Sequence, residues 1–138
     1  YKGAPIVGVT GDAGAAYSIM EFETLGKYRI PAIMIVYNNN AWGVWTSGGG
    51  RGAVRAQHMY LFQENLRYEK IAEALGCNGE YVTSPEQMTP ALERSYKLAS
   101  EEGISTLINC QGKKEFWTNQ YPPSMPRHFA PGALAYYK

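Results

Sequence analysis

Runs of strand-forming apolar residues alternate along this chain with segments in which apolar residues recur at helical spacing. The predicted strands span residues 5–10, 32–37, 80–82 and 105–110. The predicted helices span residues 18–28, 68–75 and 84–100. This alternation predicts an α/β fold in which helices sandwich a parallel sheet. The first strand is apolar along most of its length, so we expect it to be buried on both faces.

Turn and cap residues set the predicted ends of the helices. Pro31 ends the first helix, and Gly76 and Gly103 end the second and third. A capping box at residues 84–87 begins the third helix, and Pro90 predicts a kink or a second start within it. The helical spacing places these residues on the inward faces of the second and third helices: Tyr68, Ile71, Ala72, Leu75, Met88, Leu92, Tyr96 and Ala99.

Polar residues follow the first two strands at the point where each strand ends. Gly11-Asp12-Ala13-Gly14 comes after the first strand, and Asn38-Asn39-Asn40 comes after the second. Asp12 and Asn39 are 27 positions apart. A strand–helix–strand unit usually makes its two strands parallel neighbours, so the two side chains are expected at one edge of the sheet.

A carboxylate, an amide oxygen and a nearby backbone carbonyl are hard oxygen ligands of the kind that Mg²⁺ prefers. The small residues after Asp12 allow a phosphate group to approach the backbone, and a helix N-terminus there favours an anion. The pattern therefore predicts a site for a metal-bridged diphosphate. The alternative is that Asp12 only caps a helix and the asparagines only form a turn.

These two motifs at this spacing resemble the thiamine diphosphate motif of the thiamine diphosphate-dependent decarboxylase and acetolactate synthase superfamily. The resemblance covers roughly residues 4–111, the C-terminal diphosphate-binding domain. It implies thiamine diphosphate and Mg²⁺ as cofactors, with Asp12 and Asn39 binding the metal through side-chain oxygens and Ala41 through its carbonyl. The cofactor-binding residues that it implies are Gly11, Asp12, Ala13, Gly14, Asn39, Ala41 and Trp42.

Two positions depart from the pattern of that superfamily. It usually has glycine where this chain has Ala13, and often glycine where this chain has Ala41. A methyl group is a small change at the first position, and the ligand at the second is a backbone atom. The catalytic residue stays unassigned, because the glutamate that activates the cofactor is expected in another domain; Glu21 is implied to be structural.

The start of the chain and its last part suggest a piece of a larger enzyme. The chain begins at Tyr1, so the first strand and helix of the resembled domain are expected to be missing. We predict a partial cofactor-binding domain at residues 1–111 and an aromatic, proline-rich tail at residues 112–138. The tail is expected to pack over the active-site mouth, as a lid, or on a neighbouring subunit. The expected partners are the rest of the parent enzyme and a second subunit of a homo-oligomer.

Composition narrows the class of protein. The 138 residues are 45% apolar, enough for a core, and their net charge is +1 with interspersed signs. Because the charges are nearly balanced and interspersed, we expect no nucleic-acid partner. No apolar run approaches the about 20 residues that span a bilayer, so we expect no membrane partner. Cys77 and Cys110 match no metal or redox spacing, and a reduced Cys110 in the core favours a cytoplasmic protein.

Three further features have open roles. His58 is a candidate acid–base group, although surface exposure or capping explains a lone histidine as well. Gly48 to Gly52 form a glycine-rich loop without the spacing of a P-loop. Trp42 or Trp45 either shapes a substrate pocket or packs in the protein interior. The basic residues of the tail either contact an anionic substrate or face solvent; they are Lys113, Lys114, Arg127 and His128.

The predicted function is thiamine diphosphate- and Mg²⁺-dependent cleavage or formation of a C–C bond. The expected substrate is a 2-oxo acid or a 2-hydroxyacyl-CoA, and the expected enzyme is a lyase, decarboxylase or carboligase. A second hypothesis is a non-catalytic module that keeps this fold for assembly or regulation. A third is another phosphate-binding α/β protein, which the absence of P-loop or dinucleotide spacing disfavours.

Overall fold

The computed structural model describes residues 4–42 and 61–113. The chain forms two compact units, one of Tyr1–Asn38 with Asn65–Gly112 and one of Asn39–Glu64 with Lys113–Lys138. The strands and helices of the described residues belong to the first unit. Several of the predictions concern residues outside the described ranges. They are the predictions for Trp45, the glycine-rich loop, His58, Lys114 and the lid of the tail.

A parallel sheet of four strands forms the centre of the first unit. The strands are β1 (Ile6–Gly11), β2 (Ala32–Asn38), β3 (Asn78–Val82) and β4 (Thr106–Gln111). Their order is β1-β2-β4-β3, and every neighbouring pair is parallel. The predicted parallel α/β fold is therefore confirmed, with strand ends shifted by one or two residues.

Helices connect the strands. They are α1 (Asp12–Ser18), a 3₁₀ turn at Ile19–Glu21, α2 (Phe22–Tyr28), α3 (Tyr68–Ala74), a 3₁₀ turn at Pro85–Gln87, and α4 (Met88–Glu102). The helical segment predicted to begin at residue 18 thus begins six residues earlier, at Asp12. It is divided into two helices, α1 and α2, by the 3₁₀ turn. Pro90 lies in the first turn of α4, where its missing N–H is not needed, so the helix continues through it. Gly103 ends α4 in the left-handed conformation, at φ 68°.

Buried side chains form a core on each face of the sheet. Leu107 belongs to one cluster and Ile108 to the other, as the alternation of side chains along a strand requires. The first cluster contains Ala15, Phe22, Val36, Tyr68, Ala72 and Leu107. The second contains Ile33, Val82, Ala91, Ala99 and Ile108.

Two of the predicted inward positions are wrong. Ile71 in α3 is 39% exposed and Tyr96 in α4 is 54% exposed. The fully buried residues of α4 are small, namely Ala91, Ser95 and Ala99. A helix that packs through small residues lies close to the sheet, so a large side chain one position further round stays at the surface.

The prediction that the first strand is buried on both faces is also wrong. Among residues 4–42 and 61–113, β1 is an edge strand that pairs with β2 alone, and Val9 is 73% exposed. Apolar composition identified the strand but not its place in the sheet. Within residues 4–42 and 61–113, no helix has the length and apolar character needed to cross a membrane.

Candidate functional site

The carboxyl ends of β1 and β2 lie side by side, as the spacing of Asp12 and Asn39 predicted. Gly11 is opposite Tyr37 in the sheet, so Asp12 and Asn38 follow at the same edge. Asp12 is only 3% exposed, and its Oδ1 accepts a hydrogen bond of 2.8 Å from the backbone N–H of Ala13. The structure therefore holds a buried carboxylate at the carboxyl edge of a parallel sheet, where such folds bind ligands.

Tyr68, at the start of α3, lies near this carboxylate. Burial raises the pKa of the Tyr68 hydroxyl above 10.0, and the negative charge of Asp12 raises it further. Sequence reasoning assigned Tyr68 only to the hydrophobic face of a helix. The structure shows that the same residue also forms part of the surroundings of Asp12.

The glycines around Asp12 have different environments. A Cβ at Gly14 would lie 2.4 Å from the Oγ1 of Thr10, so a side chain there would displace the threonine. A Cβ at Gly11 would meet nothing within 4 Å, and Gly11 and Gly14 are both exposed. The backbone on either side of Asp12 is therefore accessible, while Asp12 itself is buried.

Asn39, Ala41 and Trp42 belong to the second compact unit. The backbone N–H of Ala41 donates to the Oδ1 of Asn39 at 3.2 Å, and Asn40 between them has a left-handed φ of 56°. Ala41 also pairs with Leu61 in an antiparallel bridge. These contacts hold Asn39 and Ala41 in one tight turn, whereas Trp42 is exposed.

Sequence reasoning missed the burial and the pairing of three polar residues of the first unit, namely Asn38, Glu69 and Asn109. The Nδ2 of Asn38 donates to the Oδ1 of Asn109 at 3.1 Å, and the Nδ2 of Asn109 donates to Glu69 Oε2 at 2.7 Å. The one available signal was an asparagine in the middle of the otherwise buried strand at residues 105–110, because such a side chain needs a partner.

A cavity of about 230 Å³ opens at the carboxyl ends of β3 and β4. Its lining includes Ser84, Met88, Cys110 and Gln111. Burial raises the pKa of the Cys110 thiol, as expected for an unreactive core cysteine, and the residue is not in a disulfide. Among the residues that the structure describes, no group of three or more His, Cys, Asp or Glu side chains is arranged to hold a metal ion.

Comparison with known proteins identifies the sequence pattern. The family profile "Thiamine pyrophosphate enzyme, C-terminal TPP binding domain" matches residues 1–110. A 2-hydroxyacyl-CoA lyase of Oryza sativa subsp. japonica is 33% identical over 111 residues, which cover 75% of this chain and 19% of the relative. The oxalyl-CoA decarboxylase of Escherichia coli K12 is 30% identical over 112 residues, 78% of this chain and 19% of the relative.

A solved structure has the same fold. The thiamine diphosphate-dependent 4-hydroxybenzoylformate decarboxylase of Rhodococcus jostii RHA1 superposes with a TM-score of 0.61 at 24% identity. The match covers 80% of this chain and 20% of that one. The chain thus spans about a fifth of the length of the relatives that it matches.

Proposed function

Because the chain belongs to the C-terminal TPP binding domain family of thiamine pyrophosphate enzymes, we propose that it anchors the diphosphate of this cofactor through Mg²⁺. Thiamine pyrophosphate is the same compound as thiamine diphosphate. In this proposal Asp12 and Asn39 bind the metal through side-chain oxygens, and Ala41 binds it through its carbonyl oxygen. The backbone of Gly11, Ala13 and Gly14 lies along the diphosphate.

The observation that carries the proposal is the buried carboxylate of Asp12 beside the open backbone at Gly11. A carboxylate oxygen is a hard ligand of the kind that Mg²⁺ prefers, and the exposed backbone beside it leaves room for the phosphates that complete the coordination of the metal. The residues present therefore fit the metal–diphosphate group.

The second half of the donor set also has the chemistry that Mg²⁺ requires. Asn39 offers an amide oxygen and Ala41 a backbone carbonyl oxygen. The hydrogen bond from the backbone N–H of Ala41 to the side chain of Asn39 keeps the two residues in one turn. Pre-ordering the turn reduces the entropy that is lost when a ligand binds. An all-oxygen donor set favours Mg²⁺ over the softer metals that cysteine and histidine bind.

We propose that the full-length protein cleaves or forms a C–C bond next to a carbonyl group. Thiamine diphosphate, when bound, supplies the electron sink for such a step. The residues of this chain bind and orient the cofactor, because fixing its diphosphate end aims its reactive ring at the substrate. Two relatives of this chain are a 2-hydroxyacyl-CoA lyase and an oxalyl-CoA decarboxylase, so acyl-CoA thioesters are one substrate class that we propose. The resemblance to acetolactate synthases adds 2-oxo acids as the second class.

The test compares two carboxylates that each lie in the first turn of a helix, Asp12 in α1 and Glu23 in α2. Asp12→Asn keeps the shape of the buried side chain but removes its charge. We expect it to raise the Kd for Mg²⁺, measured with saturating thiamine diphosphate, by more than about 100-fold, beyond the about 10–100-fold typical of outer-shell changes. Glu23→Gln, an exposed change, should leave that Kd unchanged.

Cofactor content of the full-length protein gives the second readout. Acid release should yield about one thiamine diphosphate per chain, and chelation of Mg²⁺ should remove it. A wild-type protein that binds neither the cofactor nor Mg²⁺ would overturn the proposal and favour the non-catalytic module. With the cofactor bound, turnover of 2-oxo acids against 2-hydroxyacyl-CoA and oxalyl-CoA thioesters distinguishes the substrate classes.

A further inference from the structure

A buried polar network lies at the carboxyl edge of the sheet, next to the site described above. Glu69 in α3 is only 1% exposed, and Asn38 and Asn109 are fully buried. Asn109 Nδ2 donates to Glu69 Oε2 at 2.7 Å, and Asn38 Nδ2 donates to Asn109 Oδ1 at 3.1 Å. The same two amide nitrogens each donate to the carbonyl oxygen of Leu66 at 3.0 Å. The network therefore joins α3, β4 and β2.

The carboxylate at the centre of this network is fully compensated. Its second oxygen, Oε1, pairs with the Nε of Arg67. The guanidinium of Arg67 in turn lies 4.0 Å from the ring centroid of Tyr81, which holds it in place. The carboxylate of this pair is buried, whereas the side chain of Arg67 is 44% exposed. Such a pair adds little net stability, since desolvation of the carboxylate offsets the attraction, but it specifies one arrangement of the groups around it.

The backbone of α3 is held as closely as the side chain of Glu69. A Cβ at Gly79 in β3 would lie 2.6 Å from the carbonyl oxygen of Glu69 and 2.8 Å from Oε1 of Glu73. Only glycine at this position lets the first turn of α3 approach β3 so closely. Gly79 therefore allows the turn that carries Glu69 to lie directly against β3.

The network ends on Asn38, the last residue of β2. Its side chain is held by Asn109, and its carbonyl oxygen accepts from the N–H of Gly112 at 2.7 Å and from Gln111 Nε2 at 3.1 Å. The next residue in the chain is Asn39, the proposed metal ligand. Thus the main chain and the side chain of Asn38 are both held, by Asn109 and Gln111 of β4 and by Gly112 immediately after it.

We infer that Glu69 is a positioning residue for the magnesium site, acting through Asn109 and Asn38 on the point where β2 delivers Asn39. This inference rests on the proposed function, since Asn39 is a ligand only in that proposal. Groups that orient metal ligands without touching the metal typically change its affinity by about 10–100-fold when they are removed. Glu69 has the burial, the partners and the location of such a group.

The experiment measures the Kd for Mg²⁺ in the full-length protein at saturating thiamine diphosphate, by titration calorimetry, beside the free energy of unfolding of the apoprotein. Glu69→Leu removes one of the two acceptors of Asn109 Nδ2 and leaves the carbonyl oxygen of Leu66. We expect the Kd to rise by about 10–100-fold. Glu69→Gln keeps an oxygen that can accept from Asn109, so it should recover part of the loss. Glu73→Gln is the matched control, because Glu73 lies on the same helix in an exposed pair with Lys70.

A second variant keeps the inference testable if Glu69→Leu does not fold. Gly79→Ala displaces the turn that carries Glu69 and should raise the same Kd without altering any polar group. A purely structural role would lower the free energy of unfolding while the folded protein keeps the wild-type Kd, and that result would overturn the inference but leave the magnesium site in place. Cofactor binding by the wild type that does not depend on Mg²⁺ would overturn both.

Discussion

β1 and β4 show how weakly the apolar character of a strand determines its burial. β1 consists of isoleucine, valine, glycine and threonine, yet its large side chains are exposed. β4 has leucine and isoleucine at two of its six positions and threonine, asparagine, cysteine and glutamine at the others, yet its first four residues are fully buried. The difference follows from the sheet order, since β4 lies between β2 and β3 whereas β1 lies at an edge.

This contrast separates two properties that sequence patterns combine. β-branched residues favour the extended backbone, so β1 was recognised as a strand. Burial depends instead on what covers the two faces and on how many neighbours the strand has. Polar residues can then occupy the central strand, provided that each finds a partner, as Asn109 does with Glu69 and Asn38.

The largest effect that we expect from this contrast is at Ile108 in β4. The side chain is fully buried in the cluster on the α4 face. Ile108→Ala leaves a cavity and should lower the free energy of unfolding by about 2–5 kcal/mol. Chemical denaturation of the full-length protein measures it, with Ile6→Ala at the exposed start of β1 as the control. If the two variants lost equal free energy of unfolding, the proposed difference in burial between β1 and β4 would be wrong.

A smaller loss is expected from Asn109→Leu, which places an apolar side chain of similar size in β4. It leaves Glu69 Oε2 without the donor at 2.7 Å, and a buried polar group that loses its partner costs about 1–3 kcal/mol. Asn78→Leu on the edge strand β3 is the control, because it removes a single bond of 3.2 Å to Thr106. An unchanged or increased stability of Asn109→Leu would show that the network does not contribute to folding.

The smallest effect is expected at Val9, the most exposed of the large residues of β1. Val9→Thr keeps the β-branch and exchanges a methyl for a hydroxyl that faces solvent. Its unfolding free energy should stay within about 0.5 kcal/mol of the wild type. A loss as large as that of Ile108→Ala would mean that another part of the full-length protein covers this edge.

Much of the candidate site was accessible from local sequence. The residues 11–14 and 38–41 follow recognisable strands, and the strand–helix–strand rule placed both strand ends at one edge, which the register of Gly11 with Tyr37 confirms. The roles of Asp12, Asn39 and Ala41 as metal ligands stay predictions. The surroundings of Asp12, including Tyr68, come from a helix more than fifty residues away along the chain and left no local signal.

The sequence by itself determined the strands, the helices and the position of the motif, because backbone preference, helical spacing and turn chemistry act between near neighbours in the chain. Only the tertiary structure decided the order of the strands, the exposure of β1 and the partners of the buried polar groups. Asn38 meets Asn109 across 71 positions, and Asn109 meets Glu69 across 40. Such pairings depend on how the whole sheet assembles, since a buried polar group needs a partner but its own sequence does not specify which one.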